Sequence, residues 1–84
     1  MYTIGCLPAY NEEGVIGNLI KKILPLVDSV VVCDDGSTDL TSKEAKDAGA
    51  FVITHSKNKG KGAALQSLFD FARHSNADVI VTID

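Results

Sequence analysis

Two adjacent carboxylates, Asp34 and Asp35, are the residues of this chain whose chemistry is easiest to interpret. They directly follow an apolar, largely β-branched run at residues 30–33, which is typical of a strand buried on both faces of a parallel sheet. Open α/β sheets place their ligands at the carboxyl ends of such strands. A carboxylate in that position can bind a sugar or ribose hydroxyl, a base N–H or a metal ion.

The two carboxylates are expected to have different roles. Because side chains alternate along a strand, one of the pair faces the ligand groove and the other faces the sheet or a helix cap. We expect Asp35, which is one residue further out, to contact the ligand, with Asp34 as the second choice. In the turn that follows, Gly36 permits a tight bend, and Ser37, Thr38 or Asp39 can cap the next helix. For Asp39 we expect this capping role rather than a ligand contact.

The first strand-to-helix turn, residues 8–13, carries a second group of polar side chains. It lacks the Gly-x-Gly-x-x-Gly pattern of dinucleotide-binding proteins and offers a phenol, an amide and two carboxylates instead. We expect Tyr10 and Glu12 to contact a base or a ribose at the mouth of the groove. Asn11 is predicted to cap the helix, and Glu13 to lie at the positive end of the helix dipole.

A glycine-bearing loop with three lysines, residues 57–62, leads into the third predicted helix. It does not match the phosphate-loop pattern Gly-x-x-x-x-Gly-Lys-Ser/Thr, but the amino terminus of a helix attracts anions. Lys61 is the lysine that we expect to face a nucleotide, whereas the other two are expected to be solvated. His55 and His74 have no metal-ligand spacing, so core or surface roles are predicted for them.

Strands and helices alternate along the chain and must position these turns. Strands are predicted at residues 2–7, stopped by Pro8, and at residues 29–34, 51–54 and 78–83. Helices are predicted from Asn11 to about Leu24, from Asp39 to Ala48, and after the loop at 55–60, with Leu65, Leu68, Phe69 and Ala72 facing inward. The alternation implies parallel pairing. We therefore predict an α/β fold, a Rossmann-like three-layer parallel sheet of about four strands in the order 3-2-1-4, with the ends of strands one, two and four around one crevice.

Composition and charge argue against several classes of function. The 84 residues suffice for one small domain, and a hydrophobic content of 45% is typical of a globular chain. The net charge of −3 and the absence of Trp argue against nucleic-acid binding. No apolar run is long enough to span a bilayer, and the amino terminus lacks a signal-peptide pattern. Cys6 and Cys33 are predicted to be buried and reduced, which indicates a cytoplasmic protein.

Four motifs, taken in order, together resemble one known family. They are Pro-Ala-Tyr-Asn-Glu-Glu at 8–13, Val-Val-Val-Cys-Asp-Asp-Gly-Ser-Thr-Asp at 30–39, Asn-Lys-Gly-Lys-Gly-Ala-Ala-Leu at 58–65 and Asp-Val-Ile-Val-Thr-Ile-Asp at 78–84. The chain is similar over its whole length to the amino-terminal half of family 2 glycosyltransferases, most of all to the dolichyl- or polyprenyl-phosphate sugar transferase branch. The resemblance implies the nucleotide-sugar-binding half of a GT-A fold.

The resemblance assigns binding roles to particular residues. Pro8, Tyr10 and Glu12 are expected to line the nucleoside pocket. Asp35 is expected to bind the base or the ribose, with Cys33 offering a backbone contact. The predicted nucleotide-sugar-binding residues are Pro8, Tyr10, Glu12, Cys33, Asp34, Asp35 and Lys61.

The resemblance also implies a metal ion and a reaction. Asp84 matches the first aspartate of the Asp-x-Asp signature that holds Mg²⁺ or Mn²⁺ and the diphosphate of the donor. The metal would act as a Lewis acid on the departing nucleoside diphosphate, and direct displacement by the acceptor would invert the anomeric carbon. A polyprenyl phosphate or a glycan is the expected acceptor, which places the parent protein in the cytoplasm, at the membrane face if the acceptor is lipid-linked.

The chain stops at the first aspartate of that signature, so it lacks the second aspartate, a catalytic base and an acceptor pocket. We therefore expect a fragment of a longer transferase, inactive by itself and forming a homo-oligomer through an exposed sheet edge. The alternative is a non-catalytic nucleotide-binding module. A receiver-like signalling domain is disfavoured, because its acidic pair would follow the first strand, which here ends in Leu7 and Pro8.

Overall fold

Strands and helices alternate along the chain in a computed structural model that describes residues 1–83. The strands are β1 (Thr3–Ala9), β2 (Ser29–Asp34), β3 (Phe51–Thr54) and β4 (Val79–Thr82). The helices are α1 (Ile16–Ile23), followed directly by a 3₁₀ turn (Leu24–Leu26), then α2 (Thr41–Asp47) and α3 (Lys61–His74). The bounds of β2 and β3 and the start of α3 are those that the sequence predicts, whereas β1, β4, α1 and α2 begin or end at different residues.

The four strands form one parallel sheet in the order β3-β2-β1-β4, which confirms the predicted order. Cys6 of β1 lies opposite Val31 of β2 on one side and opposite Thr82 of β4 on the other. Helices α1 and α2 cover one face of the sheet, and α3 covers the opposite face. The α/β, Rossmann-like three-layer architecture is therefore confirmed.

The apolar run of β2 supplies core residues to both faces of the sheet. Val30 and Val32 pack with α1 and α2, while Val31 and Cys33 pack against α3. Each of the four is at most 1% exposed. Full burial of one such side chain contributes about 1.5–3 kcal/mol, so this run stabilises both layers at once. Cys33 and Cys6 are buried free thiols, as predicted.

Strand β1 does not stop at Pro8, contrary to the prediction, but continues through it. Pro8 pairs with Cys33 on the β2 side. The carbonyl of Cys6 accepts a hydrogen bond from the Ile83 N–H on the opposite side, and alternation along the strand directs the nitrogen of Pro8 to that same side. Pairing with β4 ends two residues before Pro8, so its missing N–H removes no hydrogen bond to β2.

The first turn also departs from the prediction, because α1 begins at Ile16 rather than near Asn11. Asn11 has a φ of 51°, in the left-handed region that Asn tolerates, and it does not cap the helix. Its Oδ1 instead accepts the backbone N–H of Thr38 at 2.9 Å. The segment between β1 and α1 is therefore an irregular turn attached to the turn after β2.

Helix α3 packs on the sheet through Ala64, Leu68 and Ala72, which recur every four residues and are almost completely buried. Leu65 lies beside this stripe and is partly buried. Phe69 is 40% exposed, so its predicted inward position is wrong. It follows Leu68 by one residue, and that step rotates a side chain by about 100° around the helix axis.

Strand β4 lies at one edge of the sheet, as predicted. Its apolar residues Val79, Ile80 and Val81 are 37–39% exposed. Within residues 1–83, no helix has the length and apolar character needed to cross a membrane.

Candidate functional site

A cavity of about 280 Å³ lies at the carboxyl ends of β1 and β2, beside the start of α3. Its walls are formed by Pro8, Ala9, Tyr10, Asp35, Asn58, Gly60, Lys61 and Ala64. Four of the predicted binding residues, Pro8, Tyr10, Asp35 and Lys61, therefore share one cavity. The next strand after β3 crosses to the far side of β1, so the cavity lies where the strand order reverses, the position at which open sheets bind ligands.

The Asp35 carboxylate lies in the cavity wall with both oxygens hydrogen-bonded. Oδ1 accepts from His55 Nδ1 at 2.8 Å and from the Lys59 N–H at 2.9 Å, and Oδ2 accepts from the Gly60 N–H at 2.8 Å. The His55 hydrogen bond is the main cause that lowers the pKa of Asp35, and the two backbone donors add to it although burial opposes the shift. Asp35 is therefore ionised at neutral pH.

The hydrogen-bonding capacity of Asp35 is not exhausted by these contacts. An ionised carboxylate has about four acceptor sites. Three are used by donors of the chain itself, which leaves room for one more donor from the cavity. The predicted ligand contact of Asp35 stays a prediction, and its geometry is compatible with a base N–H or a ribose hydroxyl.

His55, for which the sequence indicated no specific role, belongs to the same network. Its ring is nearly buried, with Nε2 lying 2.9 Å from Ser67 Oγ of α3 and 3.6 Å from Cys33 Sγ. Because the Asp35 carboxylate can only accept, Nδ1 carries the proton. In the neutral imidazole, Nε2 then accepts a hydrogen bond from the Ser67 hydroxyl.

The signal that identifies His55 is its register in the sheet. Asp34 of β2 pairs with Thr54 of β3, so the next residues of the two strands, Asp35 and His55, lie at the same level. The backbone N–H of His55 donates to the Asp34 carbonyl at 2.9 Å and continues the ladder by one step. Once the order β3-β2 is predicted, this pairing follows from counting residues to the two strand ends.

Gly36 allows the loop between β3 and α3 to pack directly on the end of β2. Its φ is +79°, and a Cβ at this position would lie 2.4 Å from the carbonyl carbon of Lys57 and 2.5 Å from the nitrogen of Asn58. The Asp35 carboxylate holds the next two residues of the same loop. The loop wall of the cavity is thus positioned by two consecutive residues at the end of β2.

Asp34 faces away from the cavity, in agreement with the predicted alternation of the two carboxylates. Oδ1 accepts the Ser37 N–H at 2.9 Å, and Oδ2 accepts the hydroxyl of Ser42 in α2. The neighbouring Cys33 is buried, and burial, followed by the charges of the two aspartates, raises the pKa of its thiol to about 11. Neither residue lines the cavity, and their binding roles stay predictions.

The first turn is held in place by side chains of the second turn and of α2. The backbone N–H groups of residues 11–14 donate in sequence order to Ser37 Oγ, Thr41 Oγ1, Asp39 Oδ2 and Glu44 Oε1. In return, Glu13 Oε1 accepts the Leu40 N–H at 3.0 Å. These contacts satisfy backbone donors ahead of α1 that lack a partner within the helix. They also fix the backbone that presents Tyr10 to the cavity.

Glu12 and Asp39 both stabilise the starts of helices. The Glu12 carbonyl accepts the N–H groups of Val15 and Ile16, while its side chain is exposed and does not line the cavity, so its ligand contact stays a prediction. Asp39 Oδ1 accepts the N–H of Thr41, the first residue of α2, at 3.0 Å. Hydrogen bonds, chiefly that from the Thr41 hydroxyl, lower the pKa of Asp39. Asp39 therefore stabilises the start of α2, but the N-cap position itself is Leu40, one residue later than the sequence predicts.

Lys61 is the first residue of α3 and brings the amino terminus of a 14-residue helix to the cavity. The positive end of the helix dipole and the ammonium group both favour an anion. Tyr10, which also lines the cavity, is 47% exposed and offers an aromatic face and a hydroxyl. The cavity therefore suits an anionic ligand that also carries an apolar ring and hydrogen-bond donors.

The described part of the chain contains no cluster of three or more metal-ligating side chains. Within residues 1–83, no group of three or more His, Cys, Asp and Glu side chains is placed to hold an ion. His74, for example, is exposed, and its Nδ1 lies 2.7 Å from the carbonyl oxygen of Asp70 in its own helix. The metal prediction falls on Asp84, which lies outside the described residues.

A parallel sheet covered by helices on both faces, with a ligand-sized cavity where the strand order reverses, defines a Rossmann-like α/β domain. The sequence model of glycosyl transferase family 2 matches residues 6–84. This chain belongs to glycosyl transferase family 2.

Two curated relatives are similar to most of the chain. A glucosyl-3-phosphoglycerate synthase of Mycolicibacterium paratuberculosis is 39% identical over 89 residues, which cover 93% of this chain and 26% of the relative. A UDP-N-acetylglucosamine–dolichyl-phosphate N-acetylglucosaminyltransferase of Methanococcus voltae is 31% identical over 96 residues, which cover 93% and 38%, respectively. The chain thus spans about a third of the length of the curated relatives that it matches.

A solved structure shares the fold of the whole described region. Glucosyl-3-phosphoglycerate synthase from Mycobacterium tuberculosis, in complex with Mn²⁺, UDP and glucosyl-3-phosphoglycerate, superposes with a TM-score of 0.80 at 35% identity. The match covers 99% of this chain and 33% of that enzyme. A second structure of the same enzyme contains Mg²⁺ and UDP. The likeness agrees with the predicted GT-A half.

Proposed function

We propose that the protein to which this chain belongs transfers a sugar from a UDP-sugar to an acceptor, and that this region binds the nucleotide. One observation carries the proposal: Pro8, Tyr10, Asp35 and Lys61 line a single cavity in a chain of glycosyl transferase family 2. A structure at a TM-score of 0.80 was solved with UDP and Mn²⁺, which supports the choice of nucleotide.

The chemistry of the cavity walls suggests how the nucleotide would lie. The ionised Asp35 has one acceptor site left, which suits the N–H of a base or a hydroxyl of the ribose. Pro8 and Tyr10 offer the apolar contact that a base or ribose needs. Lys61 and the first turn of α3 provide positive potential for the diphosphate. The donor would therefore extend from the end of β2 towards the start of α3.

The acceptor and the stereochemical course are proposed from the family resemblance. We propose direct displacement with inversion, and an acceptor that carries a phosphate, such as a polyprenyl phosphate. One relative is named for dolichyl phosphate and the other for glucosyl-3-phosphoglycerate, so phosphate is the feature that the two names share. We place the reaction in the cytoplasm, at the membrane face if the acceptor is a lipid. A purely non-catalytic module is not favoured, because the family match covers residues 6–84.

The proposed metal ion is Mg²⁺ or Mn²⁺, with Asp84 among its ligands. The described residues contain no ligand group that fits a metal, so this part rests on the match of Asp84 to the family signature and on the metal-bound relatives. A divalent ion beside the diphosphate would neutralise negative charge on the leaving group. No other step is assigned to it.

Isothermal titration calorimetry of the chain with UDP and Mn²⁺ tests the nucleotide proposal. We expect Asp35→Ala to weaken UDP binding at least tenfold, because a charge-assisted hydrogen bond contributes about 1.5–3 kcal/mol. Asp47→Ala is the matched control, since that carboxylate is exposed in α2, pairs with Lys43 and does not line the cavity. Equal affinity of wild type and the folded Asp35→Ala variant would refute the assignment.

A further inference from the structure

We propose that His55 is a positioning residue of the nucleotide cavity: its Nδ1–H holds the Asp35 carboxylate, which in turn holds the loop of residues 55–60 as a cavity wall. The role of His55 in the geometry of the loop is inferred from the hydrogen bonds that Asp35 accepts. The consequence for nucleotide affinity rests on the proposed function.

The imidazole of His55 is held in one orientation. Nδ1 lies 2.8 Å from Asp35 Oδ1, and Nε2 lies 2.9 Å from Ser67 Oγ, on α3. The Cys33 thiol lies 3.6 Å from Nε2. The ring is thus fixed between the end of β2 and the middle of α3. Its only charged neighbour in these contacts is Asp35, so the proton on Nδ1 is directed at that carboxylate.

Asp35 is the acceptor for two consecutive backbone amides of the cavity wall. The N–H groups of Lys59 and Gly60 both donate to it, at 2.9 and 2.8 Å. Gly60 has a φ of +97° and precedes the first residue of α3, Lys61, so its position also sets where that helix starts. A rotation of the Asp35 carboxylate would break both hydrogen bonds together.

The loop of residues 55–60 forms part of the cavity wall. Asn58, Gly60 and Lys61 are three of the cavity-lining residues, and they are neighbours in sequence around the two amides that Asp35 accepts. Without the Nδ1–H, Asp35 Oδ1 would keep the Lys59 N–H but lose the charge-assisted bond that fixes its rotamer. The wall, and with it the place of Lys61, depends on a histidine that does not line the cavity itself.

The two amide variants His55→Asn and His55→Gln separate this role from simple packing. The Asn amide nitrogen is as many bonds from Cα as Nδ1 is, so H55N retains a donor for Asp35. The Gln amide nitrogen corresponds instead to Nε2, so H55Q reaches towards Ser67 and leaves Asp35 without its side-chain donor. Both variants place a neutral amide in the space of the ring, which makes them matched controls for one another.

Amide hydrogen exchange by NMR gives a direct readout of the loop. We expect the Lys59 and Gly60 amides to exchange at least tenfold faster in H55Q than in wild type, and to stay close to the wild-type rate in H55N. The amide of Val31, in the middle of β2, serves as the reference for global stability. Equal exchange of the two loop amides in H55N and H55Q would overturn the proposal.

Ser67→Ala provides a second test that leaves the imidazole in place. Loss of the hydroxyl frees the ring to rotate, so we expect the same two amides to exchange about threefold faster or more. Unchanged exchange in this variant would count against the proposal even if a His55 variant failed to fold.

Titration with UDP and Mn²⁺ adds the arm that depends on the proposed function. We expect H55Q to bind UDP about tenfold more weakly than wild type, and H55N to bind within about threefold of it. Wild-type chain that binds no UDP would contradict the proposed function, while the amide comparison would still decide the role of His55. Equal UDP affinity of H55Q and wild type would overturn the link from His55 to the cavity.

Discussion

At the scale of single residues, the carboxylate of Asp35 connects a histidine, a loop and a cavity. It accepts from His55, Lys59 and Gly60 and still faces the cavity with one free acceptor site. A carboxylate is suited to this because it accepts several hydrogen bonds without having to donate any. The same residue can therefore hold the protein together and bind a ligand.

Replacement of Asp35 by Asn tests the structural half of this description. The Asn side chain has one acceptor oxygen and one NH₂ group. Because both oxygens of Asp35 accept N–H groups, the NH₂ group of Asn would face at least one of these donors, and that hydrogen bond would be lost. We expect the free energy of unfolding to fall by about 1–3 kcal/mol, measured by urea denaturation. Asp47→Asn, on the exposed surface of α2, should change it by less than about 0.5 kcal/mol. Equal stability of the two variants would contradict the network.

The dependence of stability on pH follows from the same carboxylates. Hydrogen bonds lower the pKa values of Asp35 and Asp39 in the folded chain below the ordinary value of 3.8. A lowered folded pKa contributes stability that is fully present above the unfolded value and is lost as pH falls through the folded value. We therefore expect the denaturation midpoint to fall as pH drops below about 4, and Asp35→Asn to make that fall shallower. An acid-side slope that is the same in wild type and variant would show that Asp35 does not contribute.

At the scale of structural elements, the end of β2 organises the turns around it. Asp34 binds the start of the following segment, Asp35 binds the loop after β3, and Gly36 allows that loop to approach. The turn after β1 is attached to the same region through side chains of residues 37–44. Three connections that are distant in sequence are thus assembled around one strand end.

Gly36→Ala tests the close approach of the loop. The added Cβ would lie 2.4 Å from the carbonyl carbon of Lys57 and 2.5 Å from the nitrogen of Asn58. The alanine would also have to adopt a φ of +79°. We expect the free energy of unfolding to fall by more than about 2 kcal/mol, because the clash can be relieved only by moving the backbone at Gly36 or at residues 57–58. The matched variant is Gly62→Ala, where a Cβ meets nothing within 4 Å and lies inside α3, so stability should stay level or rise by up to about 1 kcal/mol. An unchanged free energy of unfolding in Gly36→Ala would contradict the close contact between Gly36 and residues 57–58.

The sequence predicts the elements better than the turns, for a physical reason. The bounds of β2 follow from a β-branched run that is buried on both faces, and the sheet order follows from the alternation of strands and helices. Asn11 could not be assigned in this way, because its partner, Thr38, is far away in sequence. His55 is found only when the register of β2 and β3 is counted out to the ends of the two strands. The prediction that Pro8 stops β1 is wrong, because a proline interrupts a strand only where its nitrogen faces a paired neighbouring strand. Which strand the nitrogen faces is a property of the assembled sheet.

At the scale of the whole molecule, strand β4 leaves one edge of the sheet without a neighbour among residues 1–83. Its apolar side chains are more than a third exposed, and such edges favour association with another strand. The predicted homo-oligomer of this chain stays a prediction, and the edge of β4 is where we place the contact.

Sedimentation velocity tests this association directly. We expect wild-type chain to sediment as a dimer or larger species at micromolar concentrations, and Val81→Lys to shift it to monomer, because a charged edge strand resists pairing. Leu26→Lys is the control, since that side chain is 80% exposed and belongs to the 3₁₀ turn after α1 rather than to an edge strand. A wild-type chain that is monomeric at every concentration would contradict the prediction.

We propose that one cavity at the ends of β1 and β2 binds the nucleotide of a sugar donor. The most direct measurement is a titration of ¹⁵N-labelled chain with UDP and Mn²⁺, followed by amide chemical shifts in NMR. We predict that the largest shifts fall on Tyr10, Asp35, Gly60 and Lys61, the residues of that cavity. Shifts confined to the separate groove between α1 and α2, around Gly17, or no shifts at millimolar UDP, would contradict it.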